Sequence, residues 1–165
     1  MAYHYNKLVE KIDKFSDKLV DNIIQAQQET AKIVCDDVKE LAPKNTGEYA
    51  ESIKVGETTV KRNKISTEIY TDMQVVSKRD GDKYNLGFLL ETGTSPHLIV
   101  PVDAKVLHFQ IDGKDIFTKM VYHPGMVAQP HFSTGLYMNR LVYKQKLNEA
   151  IRRSFNGWVE NSNSK

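Results

Sequence analysis

Apolar residues step by threes and fours through the first third of the chain. Tyr5, Leu8, Ile12, Phe15, Leu19, Ile23, Ala26, Thr30 and Ile33 fall on one stripe of a 3.6-residue helix, and Val38 and Leu41 continue it. No Gly or Pro interrupts the pattern until Pro43, which disfavours a helical Ala42 and so ends the helix. About 37 residues at 1.5 Å each span roughly 55 Å, more than the width of the domain that the remaining residues build. The surplus must project, bend or pack on another subunit. The alternative is a break near Asp17–Asp21 that leaves two ordinary helices.

After the Pro43-Lys44-Asn45-Thr46-Gly47 loop the period changes to two. Ile53 and Val55 alternate with Ser52 and Lys54, and Ile65, Thr67 and Ile69 with Ser66 and Glu68, across a Lys61–Lys64 turn. This reads as an antiparallel pair with one buried face. Arg79-Asp80-Gly81-Asp82 is a polar turn, and Tyr84–Glu91 a short helix ended by Gly93. A second hairpin joins Val106–Ile111 to Lys114–Met120 through Asp112-Gly113, the strongest short hairpin signal. The loop from His123 to Pro130 leads to a C-terminal helix carrying Leu136, Tyr143, Leu147, Ile151, Phe155 and Trp158, with Ser133 or Thr134 as its cap and a frayed polar tail over Asn161–Lys165. The predicted class is α+β. A long N-terminal helix (1–42) is followed by a sheet region of two or more antiparallel hairpins with a short middle helix (43–132), and then by a C-terminal helix packed on the sheet (133–160). Without repeats or a composition shift, 1–165 reads as a single domain.

Composition narrows the function more than the fold. An apolar share of 40% with 27% charged residues fits a soluble globular chain. Lys and Arg number 23 against 21 acids and are spread evenly, which argues against sequence-specific nucleic-acid binding. Cys35 is the single cysteine, so no internal disulfide forms, and its apolar neighbours Ile33, Val34 and Val38 predict a buried structural thiol. The N-terminus lacks an apolar signal core, and Pro124, Gly125, Pro130 and Gly135 break the longest uncharged run, so neither a signal peptide nor a membrane span is expected.

Candidate chemistry is sparse. His97, His108, His123 and His131 lie close in sequence, but none has the i, i+4 spacing of a helical zinc motif and no cysteine pair accompanies them. Asp112 and Asp115 sit where turns favour Asp, and Asp80 and Asp82 lack the other ligands of a calcium loop. Glu91 follows an apolar run but has no second acid or nucleophile nearby, so it reads as a carboxylate that binds backbone groups at a helix end. The glycines are isolated and make no phosphate loop. Eight tyrosines suit core edges and protein interfaces alike. No catalytic, metal-binding or cofactor-binding residue is assigned.

Five short motifs follow in order: Leu41-Ala42-Pro43, with Thr46-Gly47 and Ser52-Ile53; Glu91-Thr92-Gly93-Thr94; Ala104-Lys105-Val106-Leu107 leading to Phe109; His123-Pro124-Gly125; and Gln129-Pro130. In this order they resemble the head–tail joining, or tail-completion, proteins of phage necks, the gene-product-ten family of phage Hong Kong ninety-seven. Residue 92 departs from the pattern, being Thr where an aromatic or large apolar side chain is usual, and His131 intervenes before the aromatic Phe132. The resemblance implies a structural virion protein at the head–tail interface, assembled in the host cytoplasm as a ring, a hexamer when complete. It implies no catalysis and no cofactor. Its implied partners are further copies of itself and neighbouring neck proteins such as the connector stopper and the tail terminator, with no membrane and no sequence-specific nucleic acid. The Glu91–His97 and His123–Pro130 loops are expected to lie together and to contribute to ring or partner contacts, or else to brace the sheet against the last helix. The competing readings are a tail terminator or minor capsid protein of the same fold, a metal-dependent enzyme using the histidines, and a DNA-contacting adaptor using Lys61, Arg62, Lys64, Lys78 and Arg79.

Overall fold

The structure is a computed structural model that describes residues 2–62, 64–77 and 81–163, with side chains from Leu8 to Glu160 within those spans. The side chain of Tyr5, and Lys78, Arg79, Asp80, Ser164 and Lys165, lie outside the described residues.

Helix α1 runs unbroken from Ala2 to Leu41, as the long-helix reading expected, and the alternative break near Asp17–Asp21 does not occur. Its 40 residues amount to roughly 60 Å. The C-terminal helix accounts for most of that length. It starts as α4 (Phe132–Met138), bends at Asn139, and continues as α5 (Arg140–Asn163), antiparallel along α1. Asn139 Nδ2 donates to Asp37 Oδ2 at 2.5 Å, Lys146 Nζ meets Glu29 Oε2 at 2.8 Å, and Asn22 Nδ2 donates to the buried Ser154 Oγ at 2.8 Å. Farther along, Phe15 packs 5.1 Å from the Phe155 ring and 5.7 Å from that of Trp158. The Lys146 ammonium holds the half-buried Glu29 carboxyl below its ordinary range. The last helix therefore packs mainly on α1, not on the sheet as expected, and most of the surplus apolar stripe is covered within the chain. Near the start of the helix Leu8 and Ile12 stay exposed.

The buried line of α1 also differs from the predicted one. Ala26, Thr30, Ala31, Val34, Cys35 and Val38 are buried, while Ile33 and Leu41 turn outward. Small residues face the core because α4 crosses close by: a Cβ on Gly135 would stand 2.6 Å from Val38 Cγ2. The backbone path through the last segment is that of a helix to Asn163, where a frayed tail was expected.

Among the described residues the strands form four separate two-stranded ribbons, not one continuous sheet. A short helix α2 (Glu48–Ser52) leads into β1 (Ile53–Lys61), which pairs with β2 (Lys64–Thr71) as predicted. Ile53 faces Thr71 and Val55 faces Ile69, and a bulge between Val55 and Thr58 bends the ribbon. Strands β3 (Gln74–Val76) and β4 (Lys83–Asn85) pair next, so Tyr84 belongs to a strand, and α3 (Leu86–Thr92) follows directly. Strand β5 (His97–Ile99) pairs with the distant β8 (Val121–His123) and brackets the predicted hairpin of β6 (Leu107–Ile111) and β7 (Lys114–Thr118). Asp112 and Gly113 take φ of 50° and 75°, as the hairpin turn requires.

The core is formed by Val34, Cys35, Val38, Ala42, Tyr49 and Ile53, with Leu86, Leu90 and Phe132 packed on it. Burial pushes the Cys35 thiol pKa up, which keeps it protonated, and its Sγ lies 3.8 Å from Ile53 O. This core is small for the chain. The accessible surface is 12823 Å², against roughly 8,300 Å² expected of a compact monomer of this mass. Among the described residues no helix is long and apolar enough to cross a membrane.

Candidate functional site

Helix α3 is placed by Asn85. Its Oδ1 accepts from Phe88 N at 3.1 Å and its Nδ2 donates to Thr71 O at 2.9 Å, so the N-cap also ties the helix to β2. At the other end Gly93, φ 72°, donates its N–H to Leu89 O at 2.8 Å. Glu91 therefore sits on the last turn, and its carboxylate reaches the first turn of α4. Oε2 accepts from His131 N and Phe132 N, each at 2.9 Å, and Oε1 from Ser133 N at 3.0 Å and Ser133 Oγ at 2.6 Å. The first amides of a helix have no partner within it, and a carboxylate there satisfies them and offsets the helix dipole. The predicted cap from Ser133 or Thr134 is thus replaced. Ser133 donates to Glu91, and Thr134 Oγ1 donates to Pro130 O. Burial alone would raise the Glu91 pKa, but the hydrogen bonds from Ser133, Phe132 and His131 outweigh it and hold the carboxyl below its ordinary range.

The two loops on either side of this cap close on each other. Thr94 and Met126 exchange backbone hydrogen bonds at 2.9 and 3.1 Å, Thr94 Oγ1 also accepts from Met126 N, and Gln129 N donates to Leu90 O at 2.8 Å. Two glycines permit this approach. A Cβ on Gly93 would strike Met126 O and stand 2.8 Å from Ala128 N, and one on Gly125 would strike Thr94 O. Both have positive φ, 72° and 86°. Beyond them His97 pairs with His123 across β5 and β8, their rings 5.1 Å apart. His97 Nδ1 donates to Ser95 O, while His123 Nδ1 accepts from Gly125 N.

Behind the clasp lies a buried pair that the sequence did not reveal. His131 Nδ1 is 2.7 Å from Gln129 O, which can only accept, so Nδ1 carries the proton. Nε2 then accepts from Tyr49 O–H at 2.6 Å. Burial, followed by the Glu91 charge, pushes the Tyr49 pKa up to about 12. Tyr49→Phe leaves the His131 acceptor buried and unpaired. It is expected to cost about 1–2 kcal/mol in urea unfolding, and to remove from an alkaline absorbance titration of the folded protein a tyrosine that ionises at about 12. A loss below about 0.5 kcal/mol would count against the hydrogen bond.

The motif residues of the first subsection fall into three groups. Glu91, Gly93, Thr94, His123, Pro124, Gly125, Gln129 and Pro130 come together in the clasp. Pro43, Thr46, Gly47, Ser52 and Ile53 surround α2 and reach the clasp indirectly, through Tyr49. Gly47 takes φ 87° at the start of α2, Ser52 Oγ bridges Tyr49 O and Thr71 Oγ1, each at 2.6 Å, and Ile53 is fully buried. Leu107 stands apart, at the start of β6, opposite Thr118. His108 bonds Asp115 at 2.8 Å and stacks on Phe117. Among the described residues no three His, Cys, Asp or Glu side chains come together as a metal site.

Around the clasp the ribbons present apolar side chains to solvent, with Leu98, Val102, Phe117 and Tyr122 all more than half exposed. The model of the HK97-gp10-like family, described as "Bacteriophage HK97-gp10, putative tail-component", matches residues 6–93. The chain belongs to that family. The match runs from α1 to the end of α3, and the 123–130 loop, α4 and α5 lie beyond it. No curated protein and no solved structure matches the chain.

Proposed function

We propose that this protein is a head–tail joining, or tail-completion, component of the phage neck, working as a ring of identical subunits. A hexamer is the proposed ring, and the connector stopper and tail terminator are its proposed neighbours. The tail-component family places the chain in the class of phage structural proteins. The observation that carries the finer reading is the exposed surface. Leu98, Val102, Phe117, Tyr122 and Val127 are all more than half exposed, an apolar surface suited to contact with further subunits. The ribbons add to this, because an isolated two-stranded ribbon is marginal in water and gains stability from further packing.

A phage deleted for this gene is the test. Full heads and free tails, seen side by side by electron microscopy and joined again when the protein is supplied, are the expected result. Virions whose tails stay attached to full heads without the protein would refute the joining role.

A further inference from the structure

The α4–α5 bend makes a knob. Leu136, Tyr137, Met138 and Leu141 surround Asn139 and are 58–63% exposed, while Gly135 and Asn139 face α1. Arg140, the one charged residue between 136 and 141, lies 4.1 Å over the Tyr137 ring. Elsewhere the segment from β5 to β6 curls round a hollow of about 920 Å³. Leu98, Ile99, Val100, Val102 and Val106 line it, and Asp103 is its one carboxylate. Knob and hollow share no residue. They match in apolar character and are opposite in charge, with the Arg140 cation on one and the Asp103 carboxylate on the other.

We propose that the hollow of one protomer receives the α4–α5 bend of a second copy, with Arg140 set against Asp103. Two unlike surfaces that fit each other give a head-to-tail contact, which repeats from subunit to subunit and closes into a ring if the rotation allows. The proposal rests on the ring reading above and names its interface. It also accounts for large apolar side chains standing in solvent at a bend that is fixed on α1 by its opposite face.

Sedimentation velocity of the full chain over a concentration series, together with cross-linking in phage particles, tests it. Leu141→Asp is expected to weaken self-association by about 30-fold or more, as for a central apolar contact. Asp103→Arg and Arg140→Asp are each expected to weaken it about tenfold, and the combined charge swap to recover most of the loss. All three side chains are exposed, so thermal melts of the variants should match the parent protein. Val102→Cys combined with Met138→Cys should give a ladder of disulfide-linked multimers on mild oxidation, in solution or in particles, which neither single variant gives. If an amine-reactive cross-linker links copies of the protein in particles but the cysteine pair gives no ladder, the interface is wrong and the ring stands. If neither reagent links two copies, the ring reading falls with it.

Discussion

Glu91→Ala is expected to lower the unfolding free energy by about 3 kcal/mol, the largest effect of any side chain outside the apolar core. The carboxylate accepts four hydrogen bonds from three consecutive residues, 131–133, which the chain brings to it from 40 residues away. Charge-assisted bonds of this kind are worth about 1.5–3 kcal/mol each in isolation, but four bonds to one group are far from additive. Alanine leaves the α4 amides uncapped and also detaches α3 from α4, so the loss exceeds that of an ordinary cap. Glu91→Gln keeps the shape with one good acceptor and should lose about half as much. The pH dependence has a definite sign. A carboxyl whose folded pKa lies below its ordinary 4.5 contributes stability that is fully present above that value. The contribution is lost as pH falls through the lower, folded pKa. The unmodified protein should therefore lose stability on acidification below pH 4.5, and both variants should lose less across the same window. Urea titrations at neutral and acid pH measure this. An alanine variant within about 0.5 kcal/mol of the parent would show that water serves α4 as well as Glu91 does.

Gly93→Ala and Gly125→Ala should each cost about 3 kcal/mol or more, from two causes acting together. A positive φ costs an L-residue roughly 1–2 kcal/mol. The added carbon would also overlap the Met126 carbonyl in one case and the Thr94 carbonyl in the other, and backbone cannot swing aside as a side-chain end can. The overlap forces Thr94 and Met126 apart and breaks their reciprocal bonds. Gly113→Ala is the control. It has φ 75° but open space around it, so only the conformational part, about 1 kcal/mol, should appear. Because either clasp substitution opens the same contact, the double variant should lose less than the sum of the two. Hydrogen exchange gives a local reading, with protection at the Thr94 and Met126 amides falling in both clasp variants and persisting in the control. Equal losses for all three glycines would mean that φ alone matters and that the close approach is relaxed.

Much of the architecture was legible where the signal is local. A pattern of threes and fours ended by Pro43 places α1, alternation places β1 and β2, and Asp112-Gly113 places the outer hairpin, because each rests on neighbours in sequence. Strands β3, β5 and β8 are three residues long, too short for any period, and β5 finds its partner more than twenty residues away. Glu91 was recognisable as a structural carboxylate bound to backbone at a helix end. The identity of that helix was not, since its first turn lies forty residues on. His131 and Tyr49 left no trace in the pattern, because a buried polar pair shows itself only once two distant segments meet.

The sequence by itself determined the long first helix, the β1–β2 and β6–β7 hairpins, the Asp112-Gly113 turn, the buried thiol, and a series of motifs that resembles one phage family. These depend on backbone propensity and on residues a few positions apart. Only the tertiary structure decided that the last helix folds back along α1 and covers its stripe, that Glu91 caps α4, and that Gly93 and Gly125 lie backbone to backbone in one clasp. The reason is physical. A period shows that a face is apolar but not what covers it, and a glycine shows that space is needed but not which carbonyl needs it.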